Sequence, residues 1–320
     1  MHTQYPPRKL GFLVKLSPAR VPSADDTVGQ VGGDGIPAGV VKVDGQRLVD
    51  QVNRASGAGL TFAGSAGNGE VGAAYVRWPD GRAGVLTRGD GSPDDLRRTA
   101  EVLDAVRRHG LPVPRYELLA ELPDGIGVVQ ERMTGQPPTR IDRALLESMI
   151  AITDRFAGLA AKVPELPVPS MHLLQSGPGF CLHESLRAYD DRTRRVLDRV
   201  HEVGRDEPST MTGDDLVHLD FHTGNVLVDD TGRITGIVDW DGIGRGDRRF
   251  GLVTLRFDAH ARLPDVRLDW FDELLESVLS PGVLRLYWAH MTLRMVDWSI
   301  RHHAPADTTR WLGFAESRII

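Results

Sequence analysis

Residues 217–241 read VHLDFHTGNVLVDDTGRITGIVDWD, and this stretch decides the fold. Two short apolar runs, at 226–228 and 234–238, lie on either side of the tetrad D-D-T-G at 229–232. Asp and Gly adopt the positive φ angles of a tight turn at little cost. The stretch therefore predicts a β-hairpin that has polar side chains immediately before and after it.

The polar side chains at the ends of this hairpin are of the types that handle protons and metal ions. Asp220 and Asn225 precede the first strand, and Asp239 follows the second. Because the turn brings the two ends together, we expect these three side chains at one end of a single unit. The pattern H-x-D-x-x-x-x-N, then a hairpin and a further Asp, is typical of phosphoryl transfer. There the first Asp takes the proton of the acceptor hydroxyl, while the Asn and the second Asp hold Mg²⁺ against the phosphates.

The residues of this motif resemble those of the aminoglycoside phosphotransferase and choline kinase-like family more than those of the protein kinases. HLDFHTGNVLV and IVDWD stand where protein kinases have H-R-D and D-F-G, and His222 and Gly224 lie inside the loop. The resemblance implies an α+β, bilobal protein-kinase-like fold with a small β-rich N-lobe and a larger, mainly helical C-lobe. It also implies that Asp220 is catalytic and that Asn225 and Asp239 are the Mg²⁺ ligands.

Two further residues of the motif are expected to support this chemistry. By the resemblance, His218 holds the catalytic loop through hydrogen bonds, and Asp241 closes the motif just after Asp239. His218 and His222 flank Asp220, which leaves a zinc site as an alternative. The spacing lacks the helical H-E-x-x-H form of a zinc site, so we favour the structural role.

The composition limits the class of protein. A length of 320 residues suggests two lobes rather than one domain, and a net charge of −6 argues against a nucleic-acid or anionic-membrane partner. The single cysteine, Cys181, favours a reducing compartment, and no apolar run approaches the ~18 residues of a membrane span. We therefore expect a cytoplasmic enzyme with a small-molecule partner; the oligomeric state is left open.

The chain divides into three parts in this interpretation. Residues 1–56 form an N-terminal extension, partly flexible, with a short helix from about Asp44 that Gly57 ends. Residues 57–133 form the nucleotide-binding N-lobe, and residues 134–320 form the catalytic and substrate-binding C-lobe. A linker rich in Gly and Pro begins the C-lobe, as is typical of a lobe boundary.

Three glycines predict the phosphate-binding loop. Gly67, Gly69 and Gly72 form a G-x-G-x-x-G pattern after a short apolar run. Dinucleotide-binding folds share this pattern, but in them a helix follows the glycines directly. Here the glycines lead into strand-like residues 74–78, a Pro-Asp-Gly turn and strand-like residues 84–88. This order favours a kinase-type hairpin whose backbone amides cover the phosphates of a nucleotide.

The next strand departs from the kinase pattern. That pattern requires a Lys on the α- and β-phosphates, but residues 45–161 contain no Lys. Arg88 takes the Lys place if V-L-T-R is aligned with V-A-I-K, and Thr87 takes it after a shift of one residue. The Arg fork is bulkier and differently aimed than an ammonium group. The acidic partner on the following helix is then Glu101, or it is missing because Thr99 occupies its place.

The resemblance also implies contacts to the base and to the acceptor. Glu131 and Met133, where the N-lobe runs into the linker, would read the adenine edge through their main chains. Acidic side chains late in the chain would hold the ammonium groups of an aminoglycoside: Asp241, Asp265, Asp269, Asp272, Glu273 and Glu276. The second Asp of the family pattern G-D-x-x-x-D is Gly251 here, so this chain departs from the family pattern next to these residues.

These observations predict an enzyme that moves the γ-phosphoryl group of ATP or GTP, with Mg²⁺, to a hydroxyl of a small molecule. An aminoglycoside-like or other hydroxylated antibiotic is the favoured acceptor, which would make the protein a resistance enzyme. Two alternatives stay open. One is a metabolic kinase for a choline-, homoserine- or sugar-like alcohol. The other is a catalytically silent nucleotide-binding module, which the missing Lys would suit.

Overall fold

The computed structural model describes residues 44–66, 72–89, 91–263 and 266–319. They form a small lobe built on one sheet and a larger lobe built mainly of helices. The predictions for residues 1–43, for Gly67 and Gly69, and for Asp265 lie outside the described residues.

The small lobe is a single antiparallel sheet in the order β1-β2-β3-β5-β4. Its strands are β1 (Thr61–Ala66), β2 (Ala73–Arg77), β3 (Ala83–Gly89), β4 (Tyr116–Leu122) and β5 (Gly125–Glu131). The strand–turn–strand unit predicted at 74–88 is therefore present as β2–β3. A second Pro-Asp-Gly sequence, at 123–125, lies where β4 turns into β5.

Helix α1 (Gly45–Ser56) packs on one face of this sheet. Asp44 caps its N-terminus by accepting the N–H of Arg47, and Gly57, at φ +68°, ends it. The helix contacts mainly β1, β2 and β4, and its apolar stripe is buried in a cluster that includes Leu48, Val49, Val52, Val76, Leu86 and Val129. The predicted helix thus forms where expected, and its packing joins it to the N-lobe sheet.

Helix α2 (Pro93–Arg108) covers part of the opposite face. Ser92 and Asp95 make the predicted capping box, in which each side chain accepts the other residue's backbone N–H. A Cβ added to Gly89 would lie 2.8 Å from Leu96, whereas a Cβ added to Gly127 would lie 2.5 Å from Val52 of α1. The two helices therefore mark the two faces of the sheet.

The larger lobe surrounds one hydrophobic core. Its helices are α3 (Arg143–Asp154), α4 (His183–Tyr189), α5 (Asp191–Asp206), α6 (Phe250–Arg262), α7 (Asp269–Val278), α8 (Pro281–His302) and α9 (Pro305–Ile319). Two short antiparallel pairs lie among them: β6 (Asp215–His218) with β9 (Ile243–Gly246), and β7 (Val226–Val228) with β8 (Ile234–Ile237). Within the described ranges, no helix has both the length and the apolar character needed to cross a bilayer.

Two predicted helices of this lobe are shorter than expected. Apolar residues at helical spacing from 145 to 163 predict one helix from 142 to 163, but α3 ends at Asp154. Beyond it the chain turns, and Gly158, at φ +67°, donates its N–H to Asp215 (2.8 Å). Apolar residues at helical spacing between 186 and 200 also predict one helix from 184 to 203, where the structure has two, α4 and α5. Asp190, in an extended conformation, ends α4 and caps α5 by accepting the N–H of Thr193 (2.8 Å).

The β7–β8 hairpin joins the two lobes. Gln136, in the linker, exchanges two backbone hydrogen bonds with Val228 of β7 (3.0 and 2.8 Å). The hydroxyl of Thr235 donates to the carbonyl of Thr134 (2.7 Å). The contact leaves no room for a side chain at Gly135, whose added Cβ would lie 2.3 Å from Oγ1 of Thr235. The hairpin that carries the motif is therefore held directly against the chain that leaves the small lobe.

Candidate active site

His218, at the end of β6, ties the loop before the hairpin to the strand after it. Its Nδ1 accepts the N–H of Asp220 (3.2 Å), and its Nε2 donates to the carbonyl of Val238 (3.0 Å). Burial lowers the pKa of His218 to about 4, so the ring is neutral at pH 7 and carries its proton on Nε2. The ring packs on Trp240, with centroids 4.5 Å apart. His218 therefore has the loop-holding contacts that the resemblance implied.

Asp220 lies almost completely buried and is held at several points. Arg294 of α8 donates to its Oδ1 (2.7 Å), and the amide of Asn225 donates to its backbone carbonyl (2.9 Å). Nε2 of His222 lies 3.4 Å from its other oxygen, Oδ2. Burial alone would raise the pKa of the Asp220 carboxyl, but the neighbouring His222 and Arg294 hold it below its ordinary value. The carboxylate is therefore ionised at neutral pH.

His222 lies between Asp220 and the turn that follows it. Its Nδ1 accepts the N–H of Gly224 (3.0 Å), so the proton of the neutral ring is on Nε2, facing Asp220. Burial opposes the charged form, but the carboxylates of Asp220 and Asp258 raise the pKa of His222. A second proton, on Nδ1, would break the bond from Gly224. The carboxylates therefore favour the protonated form of the His222 ring, whereas the hydrogen bond from Gly224 favours the neutral form.

The register of the hairpin brings Asn225 and Asp239 together. Val226 pairs with Ile237, and the N–H of Val238 donates to the carbonyl of Asn225 (2.9 Å), which places Asp239 at the same end. Asp239 has a φ of +66°, a conformation that Asp adopts more readily than most residues. Since the amide nitrogen of Asn225 donates to the loop, its oxygen is the atom suited to a cation.

The donor set fits Mg²⁺. Mg²⁺ is usually held by one or two carboxylates together with substrate phosphates and water, and Asn225 and Asp239 offer oxygens of this kind. Within the described ranges, no three His, Cys, Asp or Glu side chains group together as a metal site. The geometry therefore gives no support to the zinc alternative among these residues.

Asp241 connects the motif to the small lobe. The hydroxyl of Tyr116, on β4, donates to Oδ1 of Asp241 (3.3 Å). Burial and the carboxylates of Asp241 and Asp239 raise the pKa of Tyr116 well above its ordinary value, so the hydroxyl keeps its proton and remains a donor. Asp241 therefore supports the arrangement of the two lobes around the motif.

Sequence reasoning missed Asp258, which holds the catalytic loop from below. Its Oδ2 accepts both the N–H (3.0 Å) and the hydroxyl (2.6 Å) of Thr223. Gly251, where the family pattern has its second Asp, lies under the same loop, and its added Cβ would be 3.3 Å from Phe221. Positions 251 and 258 are two turns apart on α6 and share a face. An acidic residue seven positions after Gly251 was the signal in the sequence.

Arg294 was also missed, since it lies 74 residues beyond Asp220 in the chain. The aromatic and Met residues at helical spacing predict a core helix over 283–303, where the structure has α8. Most of α8 is indeed buried, but Arg294 is a charged residue among these core positions, and only 3% of its surface is exposed. A cation within an apolar helix, after a motif rich in carboxylates, was the available signal.

On β3, the structure separates the two candidates for the Lys place. Arg88 lies on the α1 face, where it forms an ion pair with Asp124 (2.5 Å) and donates to Gln51 of α1 (3.3 Å). Thr87 is on the opposite face, because neighbouring residues of a strand point to opposite sides. These contacts favour Thr87 in the Lys place, and a phosphate-binding role for Arg88 stays a prediction.

The structure also separates the two α2 candidates for the acidic partner of that Lys, Thr99 and Glu101. Thr99 is buried, and its hydroxyl donates to the carbonyl of Asp95 one turn earlier (3.1 Å). Glu101 is exposed. The burial of Thr99 and the exposure of Glu101 favour Thr87 and Thr99 at the places of a Lys–Glu pair, and this assignment stays a prediction. No fixed charge is contributed at either position.

The remaining nucleotide-site predictions are placed as follows. The N–H of Glu131 donates to the carbonyl of Arg115 (2.8 Å), and its carboxylate pairs with Arg107 (2.7 Å). Met133 lies against the hairpin, 3.2 Å from where a Cβ of Gly236 would be. Gly72 has a φ of +82° just before β2. The contacts of these residues to a nucleotide stay predictions.

Most carboxylates proposed for an aminoglycoside are already engaged or point outward. Asp272 accepts hydrogen bonds from Arg256 (2.8 and 3.0 Å) and from Arg318 (2.7 Å), and Asp269 pairs with Arg267. Glu273 and Glu276 are exposed on α7. The carboxylate of Asp272 is therefore already neutralised by two guanidinium groups.

Comparison with known proteins agrees with this geometry. Residues 67–284, more than half of the chain, match the family described as "Phosphotransferase enzyme family" (APH). The crystal structure of aminoglycoside phosphotransferase APH(4)-Ia is similar over 85% of this chain and 96% of its own, with a TM-score of 0.56 and 19% identity. Amicoumacin kinase hAmiN, in complex with AMP-PNP, Ca²⁺ and Ami, is similar over 86% of this chain and 94% of its own, with a TM-score of 0.57 and 16% identity.

A third structure, a ternary complex of a thermostable mutant of APH(4)-Ia with ADP and hygromycin B, is similar over 81% of this chain and 92% of its own. Its TM-score is 0.55 and its identity 19%. Likenesses at such identities show a shared fold, and they confirm the predicted α+β, bilobal protein-kinase-like fold. The family match goes further: this chain belongs to the phosphotransferase enzyme family.

Proposed function

We propose that this protein transfers the γ-phosphoryl group of a nucleoside triphosphate to a hydroxyl of a small molecule, in a reaction that requires Mg²⁺. One observation carries the proposal. The hairpin and the loop before it hold an ionised Asp220 beside Asn225 and Asp239, by contacts that leave little freedom to the carboxylate. Positioning and charge stabilisation supply most of the catalysis in phosphoryl transfer, so a rigid arrangement of this kind suits it.

Each residue has one role in the reaction. Asp220 orients the acceptor hydroxyl through Oδ2. The acceptor oxygen forms a bond to the γ-phosphorus, the bond to the bridging oxygen breaks, and its electron pair stays on the nucleoside diphosphate. The hydroxyl proton passes to Asp220. Asn225 and Asp239 would hold Mg²⁺, which when bound neutralises charge on the β- and γ-phosphates.

The nucleotide would lie under the glycine loop of Gly67, Gly69 and Gly72. Glu131 and Met133 would contact the base through their main chains. ADP and AMP-PNP in the complexes named above support an adenine nucleotide, and GTP is the other candidate. The contacts on β3 favour Thr87 over Arg88 beside the phosphates.

The acceptor we propose is a hydroxylated antibiotic, because the two similar proteins described above are kinases of such compounds by name. Asp272 is already paired with Arg256 and Arg318, which favours acceptors with few positive charges. A polycation would need unpaired carboxylates to bind it. The first screen should therefore include neutral hydroxylated antibiotics and metabolic alcohols as well as aminoglycosides.

The test is a phosphorylation screen with ATP and GTP, read as the mass gain of the acceptor. We expect Mg²⁺-dependent product with the unmodified protein. Asp220→Asn should lower turnover at least ~10²-fold while nucleotide binding is kept, since only the carboxylate that orients the hydroxyl is lost. Full turnover in this variant, on a true acceptor, would refute the role of Asp220.

The catalytically silent alternative is separated by nucleotide hydrolysis. Kinase-like sites release phosphate slowly to water when no acceptor is bound. Release that requires both Mg²⁺ and Asp220 would exclude a silent binding module. Nucleotide binding without any Asp220-dependent release, to water or to an acceptor of the screen, would support it.

A further inference from the structure

Arg294 makes two hydrogen bonds to the catalytic loop from α8. Nη2 donates to Oδ1 of Asp220 (2.7 Å), and Nη1 donates to the carbonyl of Leu219 (2.8 Å). One guanidinium group therefore holds both the side chain of Asp220 and the backbone that precedes it. The planar fork of Arg fits such a two-point contact, whereas the ammonium group of Lys is a single point charge.

Stability is a weak explanation for this ion pair. Arg294 and Asp220 are 3% and 5% exposed, and removing two charges from water costs about as much as their attraction returns. The buried neighbours of Arg294 on α8 include the apolar Met291 and Trp298, and the buried Asp297 one turn away pairs with Arg301. An apolar residue at position 294, with no carboxylate to pair, would suit this core equally well. The pair is therefore better explained by what it does to Asp220.

The contact makes the two oxygens of Asp220 unequal. Oδ1 is taken by Arg294, whereas Oδ2 lies 3.4 Å from Nε2 of His222 and 3.5 Å from the amide nitrogen of Asn225. Both of these longer contacts come from residues of the loop itself. Oδ2 is thus on the side of the carboxylate that carries Asn225, the candidate Mg²⁺ ligand.

We propose that Arg294 is a positioning residue: it fixes the carboxylate of Asp220 so that Oδ2 alone is presented to the acceptor hydroxyl. This inference rests on the proposed function. Arg294 acts through Asp220 and is not itself in contact with the reacting atoms. Its loss should therefore lower kcat and leave the affinity for the nucleotide unchanged, because only the orientation of Asp220 is disturbed.

The experiment measures phosphate release from Mg²⁺–ATP and Mg²⁺–GTP, with water as the acceptor, so that no acceptor need be known. Arg294→Met removes the charge and the fork at similar length. We expect kcat to fall at least about tenfold, with the nucleotide KM within about twofold of the unmodified protein. Arg294→Lys keeps the charge without the fork and should give an intermediate kcat. It also serves as the readout if the Met variant does not fold.

Arg256 provides a matched control. It is 4% exposed, lies on α6, and makes a two-point ion pair with Asp272 that has no part in the catalytic loop. Arg256→Met should lower the unfolding temperature as Arg294→Met does, since each leaves a carboxylate without this partner. Below the unfolding transition, kcat of Arg256→Met should stay within about twofold of the unmodified protein.

A double-mutant cycle makes the test specific. If Arg294 acts only through Asp220, adding Arg294→Met to Asp220→Asn should cause no further loss of kcat. Equal losses of kcat in Arg294→Met and Arg256→Met, or additive losses in the cycle, would overturn the positioning role and leave the proposed function intact. Unchanged phosphate release in Asp220→Asn, or no release by the unmodified protein to water or to any acceptor of the screen, would overturn the proposed function and the positioning role with it.

Discussion

At the scale of single residues, the β3 strand gives the clearest contrast between two neighbours. Arg88 is held on the α1 face by Asp124 and Gln51, whereas Thr87 is on the face that carries α2. We therefore expect Arg88→Ala to leave the affinity for Mg²⁺–ATP within about twofold of the unmodified protein. Isothermal titration with Mg²⁺–ATP measures it. A tenfold loss of affinity in a folded Arg88→Ala variant would indicate that Arg88, and not Thr87, contacts the phosphates.

His290 gives a second prediction at this scale. It is buried on α8 and donates to the carbonyl of Met171 (2.7 Å), and burial lowers its pKa from 6.5 to about 3. The positive charge of Arg294 and the nearby His172 act in the same direction. Below pH 6.5, His290 binds a proton in the unfolded chain but stays neutral in the folded chain until the pH approaches 3. Stability is therefore full above pH 6.5 and falls steadily as the pH drops toward 3.

The measurement is urea unfolding at pH 7.5 and at pH 5.5. The unmodified protein should lose stability between these values, and His290→Gln should lose about 1.4 kcal/mol less, since one such group contributes about that amount per pH unit. Buried His218, whose pKa is about 4, adds a similar loss in both proteins. Equal losses in the two proteins would show that His290 is not the group responsible.

The site residues that could be predicted are those whose neighbours are close in the chain. Asp220, Asn225 and Asp239 are brought together by one hairpin, whose turn and alternation are visible in 25 residues of sequence. Arg294 and Asp258 contact the same loop from 74 and 35 residues away. Their placement depends on how helices pack in the core, which local patterns do not specify.

At the scale of elements, α1 and α2 can be predicted from local sequence patterns, whereas α6 cannot. The first two have caps and one apolar stripe, so their bounds were predicted nearly to the residue. Helix α6 is buried at every position from Phe250 to Phe257, so it has no polar face and no helical period to recognise. The strands β6 and β9 are about as short as β7 and β8 but were not predicted, because they pair across more than 20 residues and no tight turn between them marks the pairing.

The contact between α6 and the catalytic loop gives a prediction about an element. Asp258→Ala removes the acceptor for two hydrogen bonds from Thr223, one of them from a buried N–H. We expect a loss of about 1–3 kcal/mol in stability and at least about a tenfold loss of kcat, because the loop is released from its helix. Phosphate release and thermal unfolding together measure these effects.

Arg262→Ala is the control for this change. Arg262 donates to the other oxygen of Asp258 (3.1 Å) from an exposed position one turn away. The variant removes this exposed partner and keeps the bonds to Thr223, so both kcat and stability should stay near those of the unmodified protein. If the two variants behaved alike, the loop contact could not be the cause of the loss.

At the scale of the whole molecule, the arrangement of the lobes depends on a linker packed against the motif hairpin. Gly135 has a φ of +97°, and an added Cβ would lie 2.3 Å from Oγ1 of Thr235 and 2.7 Å from the carbonyl of Val228. Gly135→Ala must therefore separate the linker from the hairpin. We expect a loss of about 1–3 kcal/mol from the clash, in addition to the backbone strain.

Gly158→Ala isolates the strain. Its φ is +67°, but an added Cβ would meet nothing within 4 Å, so only the left-handed conformation is penalised, by about 1 kcal/mol. Urea unfolding of both variants measures the difference. A Gly135→Ala protein as stable as Gly158→Ala would mean that the linker and the hairpin are not in contact as described.

The position of the loop-binding carboxylate at Asp258, seven residues after Gly251, has a wider consequence for recognising such proteins. A helix returns to the same side every two turns, so an anchoring carboxylate can migrate along it by seven residues and still reach the chain above. A pattern that requires the acid at position 251 would overlook the carboxylate that Asp258 presents to the same loop. Looking seven residues further along the helix finds this carboxylate, because both positions lie on the side of α6 that faces the loop.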